Sequence, residues 1–246
     1  MSLISVEDVT MGWGPVNLLE GASFEVAEGD IFAILGGSGT GKSTLLRLLI
    51  GLETPKAGRI LVRGREPLAG RGRPDFGVLF QSGALFGSLT LAGNVALPLR
   101  VWTELDPGSI DEIVRAKLRL VGLGGYENHL PAELSGGMRK RAGIARALAI
   151  DTPILFLDEP SAGLDPVTSS ELDDLILTLN ESLGTTIVVV THELASIFKI
   201  ARSCIMLDKL SRRIIARGNP LELRDTAGDP RVRRFFHRES ESRAAA

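Results

Sequence analysis

Cysteine is almost absent. Cys204 is the single one in 246 residues, so no disulfide can form within the chain, which suits a reducing compartment. It stands in the apolar run Cys204-Ile205-Met206-Leu207, as a small core residue does. No sign of charge dominates: 28 Lys and Arg against 30 Asp and Glu leave a formal net charge of −2. That balance gives no global pull toward nucleic acid, and none is expected as a partner. Long apolar runs are missing too. Residues 31–35, 154–157 and 187–190 are short apolar stretches, a fraction of the ~20 residues that span a bilayer. Being β-branched or bulky, they read as buried strands of a parallel sheet. The start, Met1-Ser2-Leu3-Ile4-Ser5-Val6-Glu7-Asp8, has no basic opening and no extended apolar core, so no secretory leader is expected. No internal repeat is visible. What remains is a chain with 44% apolar residues, enough to build a core, and a length that suits one α/β domain with a small lobe inserted.

The pattern along the chain supports that architecture. Residues 3–6 and 22–26 alternate like strands, with Gly12, Gly14 and Pro15 marking the turn between them. The core strand 31–35 runs into a glycine-rich loop. Lys42 then opens a helix whose Leu45, Leu46, Leu48 and Leu49 make an apolar face, ended by Gly51 and Pro55. Strands are expected at 59–62 and at 76–81, the latter ending in Gln81. Helices are expected near 91–100, 109–121 and 136–149, as an inserted helical lobe over about 82–150. Strand and helix then alternate at 154–158, 167–183, 185–190 and 193–200, the signature of a doubly wound parallel sheet. Late strands near 203–207 and 213–217 finish a body spanning 3–222. The extension 223–246 ends in a charged, alanine-rich tail expected to fray over 239–246.

The loop Gly36-Gly37-Ser38-Gly39-Thr40-Gly41-Lys42-Ser43-Thr44 fits the phosphate-binding pattern G-x-x-x-x-G-K-[ST]. Its glycines let successive N–H groups point inward around phosphate oxygens, and the helix N-terminus adds positive dipole. Lys42 is expected to reach the β- and γ-phosphates of a nucleoside triphosphate, and Ser43 to hold Mg²⁺. Asp158 and Glu159 end a core strand, the ligand-binding edge of such sheets. Asp158 is read as orienting Mg²⁺ and Glu159 as the general base for the attacking water. His192 follows the next strand, where it can contact the γ-phosphate and position Glu159; His129 and His237 read as structural. The amide oxygen of Gln81 can complete the Mg²⁺ shell. In Leu134-Ser135-Gly136-Gly137, Ser135 is a helix N-cap, and the two glycines allow close approach to a phosphate. A second phosphate-binding helix end in a chain that already has one implies a neighbour's nucleotide. The economical arrangement is a head-to-tail pair of identical chains with two ATP molecules between them.

Taken together over roughly residues 3 to 218, these motifs resemble the ATP-binding subunit of an ABC transporter. The resemblance implies the α/β ABC-type ATPase fold of the P-loop class, with a parallel-sheet core, an N-terminal antiparallel β subdomain and an inserted helical one. It also implies ATP hydrolysis coupled to transport through a separate membrane permease, at the cytoplasmic face of the inner membrane. It assigns Asp165, in Ser161-Ala162-Gly163-Leu164-Asp165-Pro166, to the nucleotide site, and Trp13 to stacking on adenine; a hairpin-packing aromatic is the other reading of Trp13. Where the family's commonest signature ends in Gln, this chain has Met138. That residue, with 80–86, 94–100 and 136–141, is similar to the branch of lipid-asymmetry and Mce-associated ATPases. The branch implies phospholipid as cargo and an Mce-type lipid-binding partner. A small polar solute such as an amino acid, or a soluble ABC ATPase outside transport, are the other readings. Ala84, Leu85, Phe86 and Leu89 suggest a docking patch for the permease, or else packing within the lobe. Arg231, Arg233, Arg234, Phe235 and Phe236 suggest an amphipathic helix that docks on a partner or simply ends the chain.

Overall fold

In the computed structural model, described over residues 2–67 and 72–238, the chain divides into two units. One comprises Met1–Ala69 with Val189–Ala246, the other Gly70–Val188. The predicted fraying of 239–246 lies outside the described residues.

The first unit begins with two long antiparallel strands, β1 (Ser2–Trp13) and β2 (Val16–Ala27), with β4 (Ala57–Val62) on the other side of β1. Ile4 and Val6 are buried from β1, and so are Val9 and Met11. Even positions thus give way to odd ones on one buried face. The switch needs an extra residue, because side chains alternate strictly along a strand. Asp8, with φ +50°, supplies it where the register shifts between Val6 and Val9. The strand β3 (Ile31–Gly36) is buried at all six positions and leads through the glycine loop into α1 (Lys42–Leu49), whose four leucines are buried. Strand β8 (Ser203–Asp208) runs parallel to β3, pairing Gly36 with Leu207. Strand β9 (Arg213–Gly218) lies antiparallel to β8, so the sheet with the parallel core ends in an antiparallel strand. The connection from β8 to β9 is a short turn at 209–212, and a tight turn can only reverse the chain. Helices α6 (Leu194–Ile200), α7 (Pro220–Thr226) and α8 (Pro230–His237) complete this unit.

In the second unit β5 (Phe76–Leu79) and β6 (Ile154–Asp158) pair in parallel, and β7 (Thr186–Val190) lies beside β6. The helical segment is α2 (Leu91–Trp102), α3 (Pro107–Leu120), a 3₁₀ turn at Pro131–Glu133 and α4 (Gly136–Ala147). The long helix α5 (Pro166–Leu183) follows β6. Local chemistry marks these helix starts. Thr90, Asp106, Ser135 and Asp165 each accept a first-turn N–H, and Pro107 and Pro166 occupy first helical positions, where no N–H is needed. One expectation is corrected here. Strand β5 stops at Leu79, because Gly83 N–H donates to Phe80 O at 2.7 Å and closes a turn. Gln81 therefore sits exposed in that turn and not at the end of a strand. No described helix is long and apolar enough to cross a membrane.

Candidate nucleotide site

In the first unit the glycine loop leaves β3 at Gly36 and enters α1 at Lys42. Gly41 caps the helix in the left-handed region at φ +93°, and a Cβ there would come within 2.8 Å of Met11 Cε. Only glycine meets both demands. Gly37, Ser38 and Gly39 are exposed, and Thr40 is buried with its hydroxyl donating to Gly37 O at 3.0 Å. Lys42 Nζ donates to Gly36 O at 2.9 Å and Gly37 O at 3.0 Å, so the ammonium lies across the mouth of the loop. No side chain caps α1, and its first turn carries no acidic residue. Its leading N–H groups thus face a site suited to an anion. Lys209, just past β8, adds a second cation: its Nζ lies 3.8 Å from where a Cβ on Gly39 would stand. Ser43 is exposed in the first turn of α1.

Trp13 ends β1 and is 56% exposed, leaving an open indole face. Its turn is pinned by Lys56, whose Nζ donates to Gly14 O at 2.8 Å, Val16 O at 3.0 Å and Asn17 Oδ1 at 2.9 Å. His192 is exposed two residues past β7. The following residue, Glu193, donates its N–H to Thr191 Oγ1 at 3.1 Å and pairs with Arg238 at 2.7 Å. Arg238 closes α8, which packs on its own unit through buried Val232 and Phe236, the latter 5.7 Å from the Phe198 ring. Arg231 pairs with Asp208 and Asp229. The apolar face read as a docking surface is thus used within the chain by those two residues. Cys204 is buried, and that burial pushes its thiol up to about 12, as an inert core residue requires.

In the second unit, Asp158 is the last residue of β6 and Glu159 follows it in the left-handed region at φ +46°. Both are half-buried. Ser135 caps α4, its hydroxyl accepting from Met138 N–H at 3.3 Å. Asp165 caps α5, accepting from Val167 N–H, Thr168 N–H and the Thr168 hydroxyl. These hydrogen bonds, the hydroxyl's first, hold its carboxyl below the usual range. The two caps meet. A Cβ on Gly137 would stand 2.4 Å from Thr168 Cγ2, and one on Gly136 3.2 Å from Leu164 Cδ2. Glycine at 137 is therefore demanded by packing inside the chain, apart from any phosphate. Rotating Thr168 away would break its bond to Asp165, so Gly137→Ala is expected to cost about 1–3 kcal/mol. Thermal unfolding should show it as a fall in Tm of roughly 2–12 °C; an unchanged Tm would mean the turn yields freely.

Three residues of this unit outside the predicted site residues also shape the site. Lys140 Nζ donates to Gln81 O at 2.6 Å and Glu159 O at 3.1 Å. Buried Asn94 accepts from Phe86 N–H at 2.8 Å, while its Nδ2 lies 3.0–3.1 Å from the carbonyls of Phe86, Leu89 and Thr90. Arg146 donates to Ala84 O at 2.5 Å and Gly83 O at 3.3 Å. The loop after Gln81 is thereby held from α2 and α4, with Ala84 exposed, Phe86 52% exposed, and Leu85 and Leu89 half-buried.

A family model described as "ABC transporter" matches residues 19–162, which contain the glycine loop, the capped α4 and the end of β6. This chain belongs to the ABC transporter family. As the ATP-binding ABC subunit it is an ATPase of the P-loop α/β fold, with mixed parallel and antiparallel sheets. It is 41% identical over 242 residues to the "Intermembrane phospholipid transport system ATP-binding protein MlaF" of Escherichia coli, covering 96% of this chain and 88% of that one. It is 42% identical over 241 residues to the "Probable ribonucleotide transport ATP-binding protein mkl" of Mycobacterium leprae, covering 95% of this chain and 68% of the relative. Among solved structures, the dimeric post-hydrolysis state of the ATP-binding cassette MJ0796 bound to ADP and Pi superposes with a TM-score of 0.78 at 29% identity, covering 88% of this ABC subunit and 98% of that chain.

Proposed function

We propose that this ABC ATPase powers the movement of phospholipid between bacterial envelope membranes, through a separate permease and with an Mce-type lipid-binding protein. Two copies sandwich two ATP, each held by Gly36–Thr44 of one copy and Ser135–Gly137 of the other. The observation that carries the reading is the similarity to MlaF across 88% of that protein, together with Met138 in place of the usual signature Gln. The dimer is supported by the dimeric MJ0796 cassette with its ADP and phosphate. The exposed Ala84 and Phe86, on a loop fixed by Asn94 and Arg146, form the surface offered to the permease. Its place is then the cytoplasmic face of the inner membrane.

ATP would supply the bond that is broken, and Mg²⁺, when bound, would neutralise charge on its phosphates. The residues that would hold Mg²⁺ are Ser43, Gln81 and Asp158, all hard oxygen donors of the kind that ion prefers. Lys42 and the loop amides bind phosphate, Trp13 offers a face for adenine, Glu159 takes the proton of the attacking water, and His192 orients the γ-phosphate end. Asp165 serves the nucleotide site through the cap it makes on α5.

A polar solute as cargo is the second reading, favoured by the printed name of the mycobacterial relative. Purifying the tagged chain from detergent-solubilised membranes separates the two. The lipid reading expects a permease, an Mce-type protein and bound phospholipid, with ATPase activity stimulated by phospholipid. A complex stimulated by a nucleotide or amino acid and indifferent to phospholipid would overturn it.

A further inference from the structure

Lys140 is only 6% exposed, and the assignments above give it no part. It stands one turn into α4, the helix whose N-terminus presents Ser135, Gly136 and Gly137. Its ammonium spans two carbonyls from distant segments, Gln81 O at 2.6 Å and Glu159 O at 3.1 Å. Glu159 has a backbone conformation that side-chain-bearing residues avoid, which persists only where the surroundings hold it. Burying an ammonium is unfavourable unless it is hydrogen-bonded and charge-compensated. Here burial pushes its pKa below the ordinary lysine range, and the carboxylates of Asp158 and Glu159 act against that fall. An apolar side chain of similar length would fill the space without the desolvation penalty, but it could not tie the two carbonyls to the helix.

We propose that Lys140 is a positioning residue for hydrolysis, coupling α4 to the backbone of Gln81 and Glu159. Movement of the helix that carries Ser135–Gly137 is then transmitted to the carboxylate of Glu159 and to the Gln81 turn. Nucleotide contact at the helix end and placement of the hydrolytic groups become one event. The inference rests on the reading of Glu159 as the hydrolytic carboxylate.

Steady-state ATPase kinetics, affinity for a fluorescent ATP analogue and thermal unfolding of Lys140→Met, Lys140→Gln and Lys140→Arg test it, with Glu159→Gln in parallel. Lys140→Met should lower kcat between about tenfold and a hundredfold, the effect of misplacing a reacting group, with analogue affinity unchanged. Lys140→Arg, which keeps the charge and the N–H donors, should recover most of the loss. If Lys140→Met does not fold, Lys140→Gln carries the same comparison, with a neutral polar side chain one atom shorter. A parental kcat in the Met or Gln variant while Glu159→Gln stalls would overturn the proposal. So would an Arg variant no better than Met, or Met and Gln variants that both fail to fold, since Lys140 would then serve stability alone. Normal hydrolysis by Glu159→Gln would show instead that the reading of Glu159 is the part that failed.

Discussion

Glu159→Gln is expected to bind ATP as the parent does and to hydrolyse it about 10²–10⁴ times more slowly, the span associated with losing a general base. The substitution keeps side-chain size while removing the carboxylate charge and, with it, the ability to take a proton. The φ of +46° at this residue is no harder for Gln than for Glu, and Lys140 still finds the backbone carbonyl. Fold and nucleotide affinity should therefore survive. With hydrolysis stalled, the ATP-bound pair loses its hydrolytic route to reopening, so size exclusion with ATP and Mg²⁺ should show a dimer that dissociates when nucleotide is removed. Parental turnover would remove Glu159 from the mechanism. A variant that stays monomeric with ATP, both alone and with its membrane partner, would remove the sandwich.

Lys42→Ala is the second large effect. The ammonium at the mouth of the loop, on the carbonyls of Gly36 and Gly37, is the group placed to exchange those carbonyls for phosphate oxygens. Its loss leaves the loop amides and the α1 dipole to hold a polyanion without their counter-charge. Turnover should fall by about 10²–10³, the scale for deleting one preorganised stabilising donor. Binding of an ATP analogue should weaken in the same experiment, which distinguishes this variant from Glu159→Gln. Lys209, close to Gly39, offers a partial substitute charge, so residual binding should weaken further in Lys42→Ala/Lys209→Ala. Undiminished hydrolysis in Lys42→Ala would mean that the loop is not the phosphate cradle.

Much of the fold is legible because its signals are local. The apolar runs that become β3, β6 and β7 are short enough for strands and too continuous for a half-exposed sheet. Helix starts are written in side chains that reach only two or three residues, as at Ser135 and Asp165. The end of β5 was not legible. It depends on a hydrogen bond between Gly83 and Phe80 that nothing in the apolar pattern of 76–81 announces. The antiparallel course of β9 likewise follows from the turn before it.

The candidate site divides in the same way. Gly36 to Thr44, Asp158 and Glu159 stand out because phosphate chemistry needs those residue types at close spacing, and a motif works through the backbone geometry of its own few residues. Family membership was within reach of the sequence for that reason. Lys56 on Asn17, Lys140 on Gln81 and Arg146 on Gly83 act across 39, 59 and 63 positions of chain. In the run Arg139-Lys140-Arg141 three basic residues look like one solvated surface. Only the packing of α4 turns Lys140 inward and leaves Arg139 exposed. Residue type and spacing along the chain determined which chemistry this protein carries. The tertiary structure decided which charges are buried and which glycine has no room for a side chain, because burial and contact are properties of segments that sequence order keeps apart.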